Sequence, residues 1–241
     1  MLLTNPAGGY HFLRGIGPYS AGVTAAEGFR IEHVRLSHPI ALRDGFDLVD
    51  AHLRAAGRPR AALCAMALRS PAPFSFSGFN EFNAGYVEML KSWDLLLDGV
   101  NPIARTNVAP ELDAPAAPSL YSFAYTVPAV SSARSFVVAG AGELPEGSLD
   151  PADVVPGPLS AKAQFVLGLM EGRLRGLRAT WSDVTVTNIY TVHDLPLRDI
   201  LDRVGLAARH GLTWHYTRPP IVTIEFEMDL RGVAEDRVLS L

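Results

Sequence analysis

Cysteine is nearly absent: Cys64 is the only one in 241 residues. No disulfide can form within a chain, which fits a reducing cytoplasm. Cys64 lies in the apolar run Ala61-Ala62-Leu63-Cys64-Ala65-Met66 and reads as a small buried hydrophobe. A basic excess is also lacking. The net charge is −4, and no dense lysine or arginine cluster stands out, which argues against a nucleic-acid partner. No apolar run reaches the roughly 18 residues of a membrane span. The start, Met1-Leu2-Leu3-Thr4-Asn5-Pro6, has neither the basic flank nor the apolar stretch of a secretory signal. Metal motifs are missing too. There is no His-Glu-x-x-His and no Cys/His cluster, and His33/His38 and His210/His215 are each five apart, on opposite faces of a strand. No Gly-x-Ser-x-Gly elbow occurs, and Gly140-Ala141-Gly142 lacks the lysine of a phosphate loop.

What is present is ordinary globular material, 48% hydrophobic and 19% charged. Residues 1–18, rich in glycine and proline, read as a loop leading into the fold. Phe29–Leu36 alternates as a strand that Ser37-His38-Pro39 ends. Asp44–Ala56 has helical spacing, with Gly57 at its C-terminal cap. Residues 60–69 form a buried strand. Phe79–Leu97 is a second helix, with Phe82, Tyr86, Met89, Leu90 and Trp93 on one stripe. Strands at 104–109 and 119–127 follow, split by the surface loop Ala114–Pro118.

The same order then returns after a join near Pro128–Ser132. Ser135–Ala141 is a strand and Gly142–Pro158 a loop. Ser160 is placed to cap a helix carrying Phe165, Val166, Leu169, Met170 and Leu174. Asp183–Val192 alternates as a strand, Leu197–Ala208 is a helix, and Leu212–Thr217 and Ile221–Leu230 are closing strands. Trp214-His215-Tyr216 reads as an aromatic cluster facing the core. The period of about 115 residues is too long for a solenoid. The expectation is an α+β duplication, with modules at 1–129 and 130–241, each a mixed sheet with two helices on one face.

Arg105 stands out in Asn101-Pro102-Ile103-Ala104-Arg105-Thr106-Asn107-Val108. It follows a helix and a turn and opens a strand, a place from which a planar guanidinium can hold a small carboxylate in a two-bonded fork.

Four short motifs in the first half then line up. Gly17-Pro18-Tyr19-Ser20 comes first, and Ser37 stands at the end of the first strand. Phe82-Asn83-Ala84-Gly85-Tyr86 lies on the second helix, and Pro102-Ile103-Ala104-Arg105-Thr106 follows it. In the second half, Phe136–Gly140 with Pro145-Glu146-Gly147, Asp183–Tyr190 and Ile224-Glu225-Phe226-Glu227 match further elements. Together they resemble the YjgF/RidA group of reactive-intermediate deaminases, built on a chorismate-mutase-like fold. The chain departs from that pattern in several ways. It holds two modules where members usually have one. Asn107 stands where many have cysteine. No glutamate sits on the strand around Phe123, and Arg209 is the nearest second-half counterpart of Arg105, without its proline.

The resemblance implies hydrolysis of a small carboxylated enamine or imine, of the 2-aminoacrylate or 2-aminomuconate kind, to a keto or hydroxy acid and ammonia. It implies Arg105, Tyr19 and Glu227 as catalytic residues. Arg105, Ser37, Asn83 and Asn107 would bind substrate, with no metal and no cofactor. It further implies a homo-oligomer, a trimer foremost. The rival expectation is a non-catalytic ligand-binding or regulatory protein of the same fold, favoured by the missing first-half glutamate.

Overall fold

The computed structural model describes residues 2–130 and 134–241. The expected join near Pro128–Ser132 runs into residues 131–133, which lie outside the described residues.

The chain opens with β1 (Leu2–Asn5) and β2 (Tyr10–Leu13), paired antiparallel from Leu2↔Leu13 to Asn5↔Tyr10. The loop expected over residues 1–18 is therefore largely a hairpin. Gly9, at φ +71°, makes the turn, and the Asn5 carboxamide accepts the Gly8 N–H at 2.9 Å. Tyr10 and Phe12 are buried while His11 and Leu13 are not. That two-residue alternation was in the sequence, masked by the glycines and prolines around it. β3 (Gly22–Ala25) extends the hairpin to three strands.

The first half continues as β4 (Phe29–Ala41), α1 (Leu42–Ala55), β5 (Leu63–Arg69), α2 (Phe76–Ser92), β6 (Ala104–Pro110) and β7 (Ser119–Pro128). The second runs β8 (Phe136–Gly142), α3 (Leu159–Gly176), β9 (Val186–Thr191), α4 (Leu197–Val204), β10 (Thr213–Arg218) and β11 (Glu227–Gly232). A last strand, β12 (Glu235–Leu239), was not expected. In space the first half orders its strands β6-β5-β7-β4 and the second β10-β9-β11-β8. In each, the first two strands of that order are parallel and the remaining neighbours antiparallel. The duplication read from element order thus extends to strand order and direction. Two residue pairs, Thr217↔Pro110 and Arg218↔Ala109, link β10 to β6 and merge the halves into one twelve-stranded sheet.

The terminal strands cross between halves. β3 pairs with β8, and β12 runs parallel to β4 from Glu235↔Glu32 to Leu239↔Leu36. Arg237 reaches Glu32, and the His33 ring stands 2.8 Å from Asp236, so charge as well as backbone ties β12 down.

Helix periodicity accounts for the two outer cores. α1 and α2 bury Phe46, Val49, Leu53, Tyr86 and Leu90 against Met66, Leu68 and Phe123. α3 and α4 bury Val166, Met170, Ile200 and Val204 against Ile189, Met228 and Leu230. Each large apolar side chain contributes about 1.5–3 kcal/mol by leaving water. A third cluster lies away from the helices. There Tyr10, Phe12 and Val23 meet Ile31, Cys64 and the small residues Ala65, Ala104, Ala124 and Ala139. Small side chains on those faces let the halves approach. Burial pushes the Cys64 thiol up, so it stays neutral. No helix among the described residues is long and apolar enough to cross a membrane.

Several local expectations shift. β4 runs through Ser37-His38-Pro39 to Ala41, with an irregularity in its pairing to β7 between Arg35 and Ile40. A proline is tolerated there because such an irregularity needs no ladder donor. Ser160 does not cap α3. The helix starts at Leu159 with the extended Pro158 at its N-cap, so Ser160 already lies inside the first turn. α2 starts earlier than expected, at a Ser75 hydroxyl that accepts the Gly78 N–H at 3.0 Å, and ends at Ser92. Residues 221–226 make a turn rather than the start of β11, with Ile221 and Ile224 packed on Phe79. Trp214 and Tyr216 face outward and are about half exposed, while His215 alone turns inward and stacks on Tyr190 at 4.8 Å. Alternation along a strand cannot send three consecutive side chains to one core.

Candidate active site

β6 presents Arg105 and Asn107 on the side that faces α2. Two segments distant in sequence are fastened over them. The Ser20 N–H donates to the Ile103 carbonyl at 2.8 Å, its hydroxyl to the Pro102 carbonyl at 3.0 Å, and the Asn101 amide to the Pro18 carbonyl at 2.7 Å. These bonds lay the opening Gly-Pro-Tyr-Ser segment along the Arg105 segment and set the Tyr19 ring 4.8 Å from the guanidinium carbon. Tyr86, Phe79 and Phe82, all from α2, stand at 4.8, 5.6 and 5.7 Å.

Arg105 is 2% exposed. Its Nη2 donates to Asn83 Oδ1 at 2.7 Å, while Nε and Nη1 are buried without a protein partner. A buried cation is costly, and the faces of four aromatic rings offset part of that cost. Burial pulls the guanidinium's proton affinity down, with Tyr86, Tyr19 and Glu227 opposing. Nε and Nη1 lie on different edges of the planar group, each edge shared with Nη2, so a carboxylate can be held by one of these free donors together with the second Nη2 hydrogen. Asn107 accepts the Ser70 hydroxyl at 3.0 Å and keeps its amide nitrogen without a partner.

The opposite wall belongs to the second half. Glu227, the first residue of β11, lines the same cavity of about 70 Å³ as Tyr19, Arg105, Asn107 and Gly140. Glu227 is 4% exposed, and its carboxyl is pushed well above the usual carboxylate range. Burial is the main cause and the Asp229 charge the next; Arg105 and Arg173 pull the other way. Burial likewise raises the Tyr19 phenol. The wall opposite the guanidinium is therefore a carboxyl whose surroundings favour its neutral form. Arg173, from α3, donates Nη1 to the Ala139 and Gly140 carbonyls at 2.9 and 3.3 Å and forks onto Glu146 at 3.1 and 3.0 Å.

Gly140 decides how closely the two walls meet. A Cβ there would lie 2.2 Å from Glu227 Oε1 and 3.2 Å from Thr106 Cα. Gly140→Ala is expected to displace the Glu227 carboxyl, the one neighbour free to swing. Turnover should fall about tenfold or more while the melting temperature changes by only a few degrees. Steady-state kinetics beside thermal melting reads both, and unchanged turnover would show that Glu227 does not depend on this contact.

The structure thus brings Tyr19, Asn83, Arg105, Asn107 and Glu227 together. It does not bring Ser37. That residue is exposed on β4, and its hydroxyl accepts the Leu241 N–H at 3.2 Å. The strand passing through Ser37 carries it to the β12 edge instead of turning it into the cavity. Arg209 is no counterpart of Arg105. It lies in the 3₁₀ turn Gly205–His210 and donates to the Ser182 carbonyl at 3.0 Å. On β10, Trp214 pairs with Ile189, a residue of the helix-side core, so the side where β6 holds arginine holds an aromatic ring. Sequence reasoning did not single out Arg173, Glu146 or Gly140. Glu146 and Gly140 lay within recognised motifs, but Arg173 sits among the charges of α3 with no distinguishing pattern.

Behind Thr106 a second cavity of about 240 Å³ separates the helix-free faces of the halves, lined by His33, Tyr121, Asn188, Tyr190, His215 and Asp229 among others.

Comparison with known proteins adds the following. A family described as 2-aminomuconate deaminase CnbZ matches residues 2–237. The 2-amino-5-chloromuconate deaminase of Comamonas testosteroni is 43% identical over 243 residues, covering 96% of both chains. The crystal structure of a chorismatase superposes with a TM-score of 0.50 at 12% identity, over 88% of this chain and 77% of that one, a likeness of fold. A YjgF/YER057c/UK114 family member from Mycobacterium tuberculosis, 17% identical, aligns with 42% of this chain and 79% of its own at a TM-score of 0.27.

Proposed function

The chain belongs to the 2-aminomuconate deaminase CnbZ family, and from that premise we propose that it hydrolyses the enamine of a 2-aminomuconate-like dicarboxylate, releasing ammonia. The observation that carries the reading is the pairing across one cavity of a buried arginine with two unpartnered donors and a buried glutamic acid whose surroundings push its carboxyl well above the usual range. Neither half holds both.

In this reading Arg105 takes the carboxylate next to the amino-bearing carbon on a two-donor edge of its guanidinium, which fixes that carbon in the cavity. Glu227 donates its proton to the neighbouring alkene carbon, turning the enamine into an iminium. The carboxylate so formed accepts a proton from water as the water oxygen bonds to the iminium carbon. Proton transfer to nitrogen and cleavage of the C–N bond then release ammonia and leave a carbonyl. One water is consumed per ammonia formed. Tyr19, stacked on Arg105, orients the guanidinium. The iminium intermediate is a reactive cation, and the protein group that forms it is neutral beforehand, so no buried ion pair needs to be assembled in advance. We place the reaction in the cytoplasm and in a trimer of chains, and the chemistry calls for no metal.

The test is ammonia release from 2-aminomuconate generated enzymatically in the cuvette, with 2-aminoacrylate as a second substrate and metal-chelated protein in parallel. Release with aminomuconate above the spontaneous rate, unaffected by chelation, is the expected result. Binding of aminomuconate without ammonia release would turn the conclusion to the ligand-binding alternative.

A further inference from the structure

Asp229 is a buried acid near the cavity that the mechanism above does not use. It sits two residues beyond Glu227 on β11, so both side chains point to the same side of the strand, about 7 Å apart along it. Where β11 pairs with β8, Met228 faces Ala141 and Leu230 faces Val138, so the extra residue of the bulge falls on β8, at Ala139 and Gly140, opposite Asp229. The pairing of β11 with β9 is unbroken, Asp229 opposite Asn188, and three donors meet the Asp229 carboxylate. Thr106 Oγ1 donates to Oδ2 at 2.9 Å, Tyr190 OH to Oδ2 at 2.7 Å, and Asn188 Nδ2 to Oδ1 at 2.8 Å. The network continues outward. With its amide nitrogen spent on Asp229, Asn188 turns Oδ1 to His215 Nε2 at 3.2 Å, so that nitrogen carries the hydrogen. Burial and the Arg69 charge pull the His215 ring down to about 4, which keeps it neutral in this role.

Two features of this arrangement matter. Three donors and no acceptor converge on the carboxyl oxygens, the pattern of an anion. One of the donors, Thr106, is the neighbour of Arg105 on β6, so the network fastens the strand that carries the clamp to the strand that carries the acid. We propose that Asp229 is a positioning residue for the reaction at Arg105, a fixed negative charge that keeps Glu227 a proton donor and holds it against β6. This rests on the deaminase reading for its consequence but not for its electrostatics. The other charged groups facing Glu227 are Arg105 on β6, Arg173 on α3 and Glu143 just beyond β8. The arginines favour the ionised form, so the anion at Asp229 works against two cations close to the cavity.

The decisive variant is Asp229→Asn, which removes the charge and nearly keeps the shape. Two charges about 7 Å apart in a partly screened interior shift each other's titration by about 1–2 pH units. The expected result is that the alkaline limb of kcat/KM moves to lower pH by that amount, so activity at pH 8 falls about 10-fold or more while activity at pH 5.5 changes less. Independently of turnover, the Glu227 side-chain carboxyl is followed by ¹³C NMR in labelled protein, with Glu227→Gln assigning the signal. Its midpoint should fall by the same amount. An unmoved midpoint in folded Asp229→Asn overturns the proposal even if activity drops. A midpoint that moves in a protein releasing no ammonia from any enamine supports the electrostatic role and overturns the deaminase reading instead. Asn presents an amide N–H to donors and so risks misfolding; Asp229→Ser, whose hydroxyl can accept from the same donors, then supplies the neutral variant for the same two readings.

Discussion

Arg105→Met is expected to lower kcat/KM on the physiological substrate by about 30-fold to several thousandfold. The range follows from losing a buried charge-assisted contact of roughly 2–5 kcal/mol, at about 1.4 kcal/mol per decade. The melting temperature should hold within a few degrees. Arg105 is enclosed by Tyr19, Phe79, Phe82 and Tyr86, a site into which a methionine fits, and among the described residues its only hydrogen bond is to Asn83. Removing the cation relieves a desolvation cost and forfeits four ring contacts, which oppose one another. Arg105→Lys should recover little activity, because a point charge cannot replace a two-bonded fork. Kinetics and differential scanning calorimetry on the same preparations separate the outcomes. Wild-type kcat/KM in Arg105→Met would remove the clamp, and a loss of cooperative melting would make Arg105 a structural residue.

Glu227→Gln should lower kcat by about 10²–10⁴-fold, the usual worth of a general acid or base, with a smaller change in KM. Stability should move the other way, and its sign follows from linkage. Glu227 is a carboxyl whose folded value is raised, so the folded protein holds the proton more tightly than the unfolded chain. Stability is therefore fullest below the unfolded value, near pH 4.5. It declines as pH rises from there until the folded value is passed. An amide does not titrate, so Glu227→Gln should melt at the same or a higher temperature than the parent at pH 8, the gap closing towards pH 4. Melting curves across that range, with turnover measured beside them, check both halves. A variant that loses turnover and also melts well below the parent at pH 8 would point to a structural use of Glu227.

Much of the fold was legible because it rests on periodicity. The stripe of Phe82, Tyr86 and Leu90 and the stripe of Val166, Met170 and Leu174 point to helices whichever residues lie elsewhere. The alternation of residues 119–127 and 183–192 marks strands in the same way. Errors came where a local signal competes with distant partners. Ser37-His38-Pro39 looks like a strand end, yet β7 on one side and β12 on the other carry β4 past it. Residues 2–13 look like a glycine-rich loop, and β8 of the second half completes a sheet to which their hairpin is added through β3.

By itself the sequence determined the duplicated order of elements, the place of Arg105 at the start of a strand after a helix, and a glutamate on the last strand of the second half. Each depends on residues a few positions apart. The tertiary structure alone decided that the first-half Arg105 and the second-half Glu227 line one cavity. It also decided that Gly140 lets those walls touch and that Asp229 meets the Arg105 strand through Thr106. The physical reason is range. Backbone propensity and side-chain periodicity act within a turn or a strand. The distance between Arg105 and Glu227 depends on how two separately closed hydrophobic layers dock through alanine-lined faces and a two-residue pairing of β10 with β6, and no local pattern carries that information.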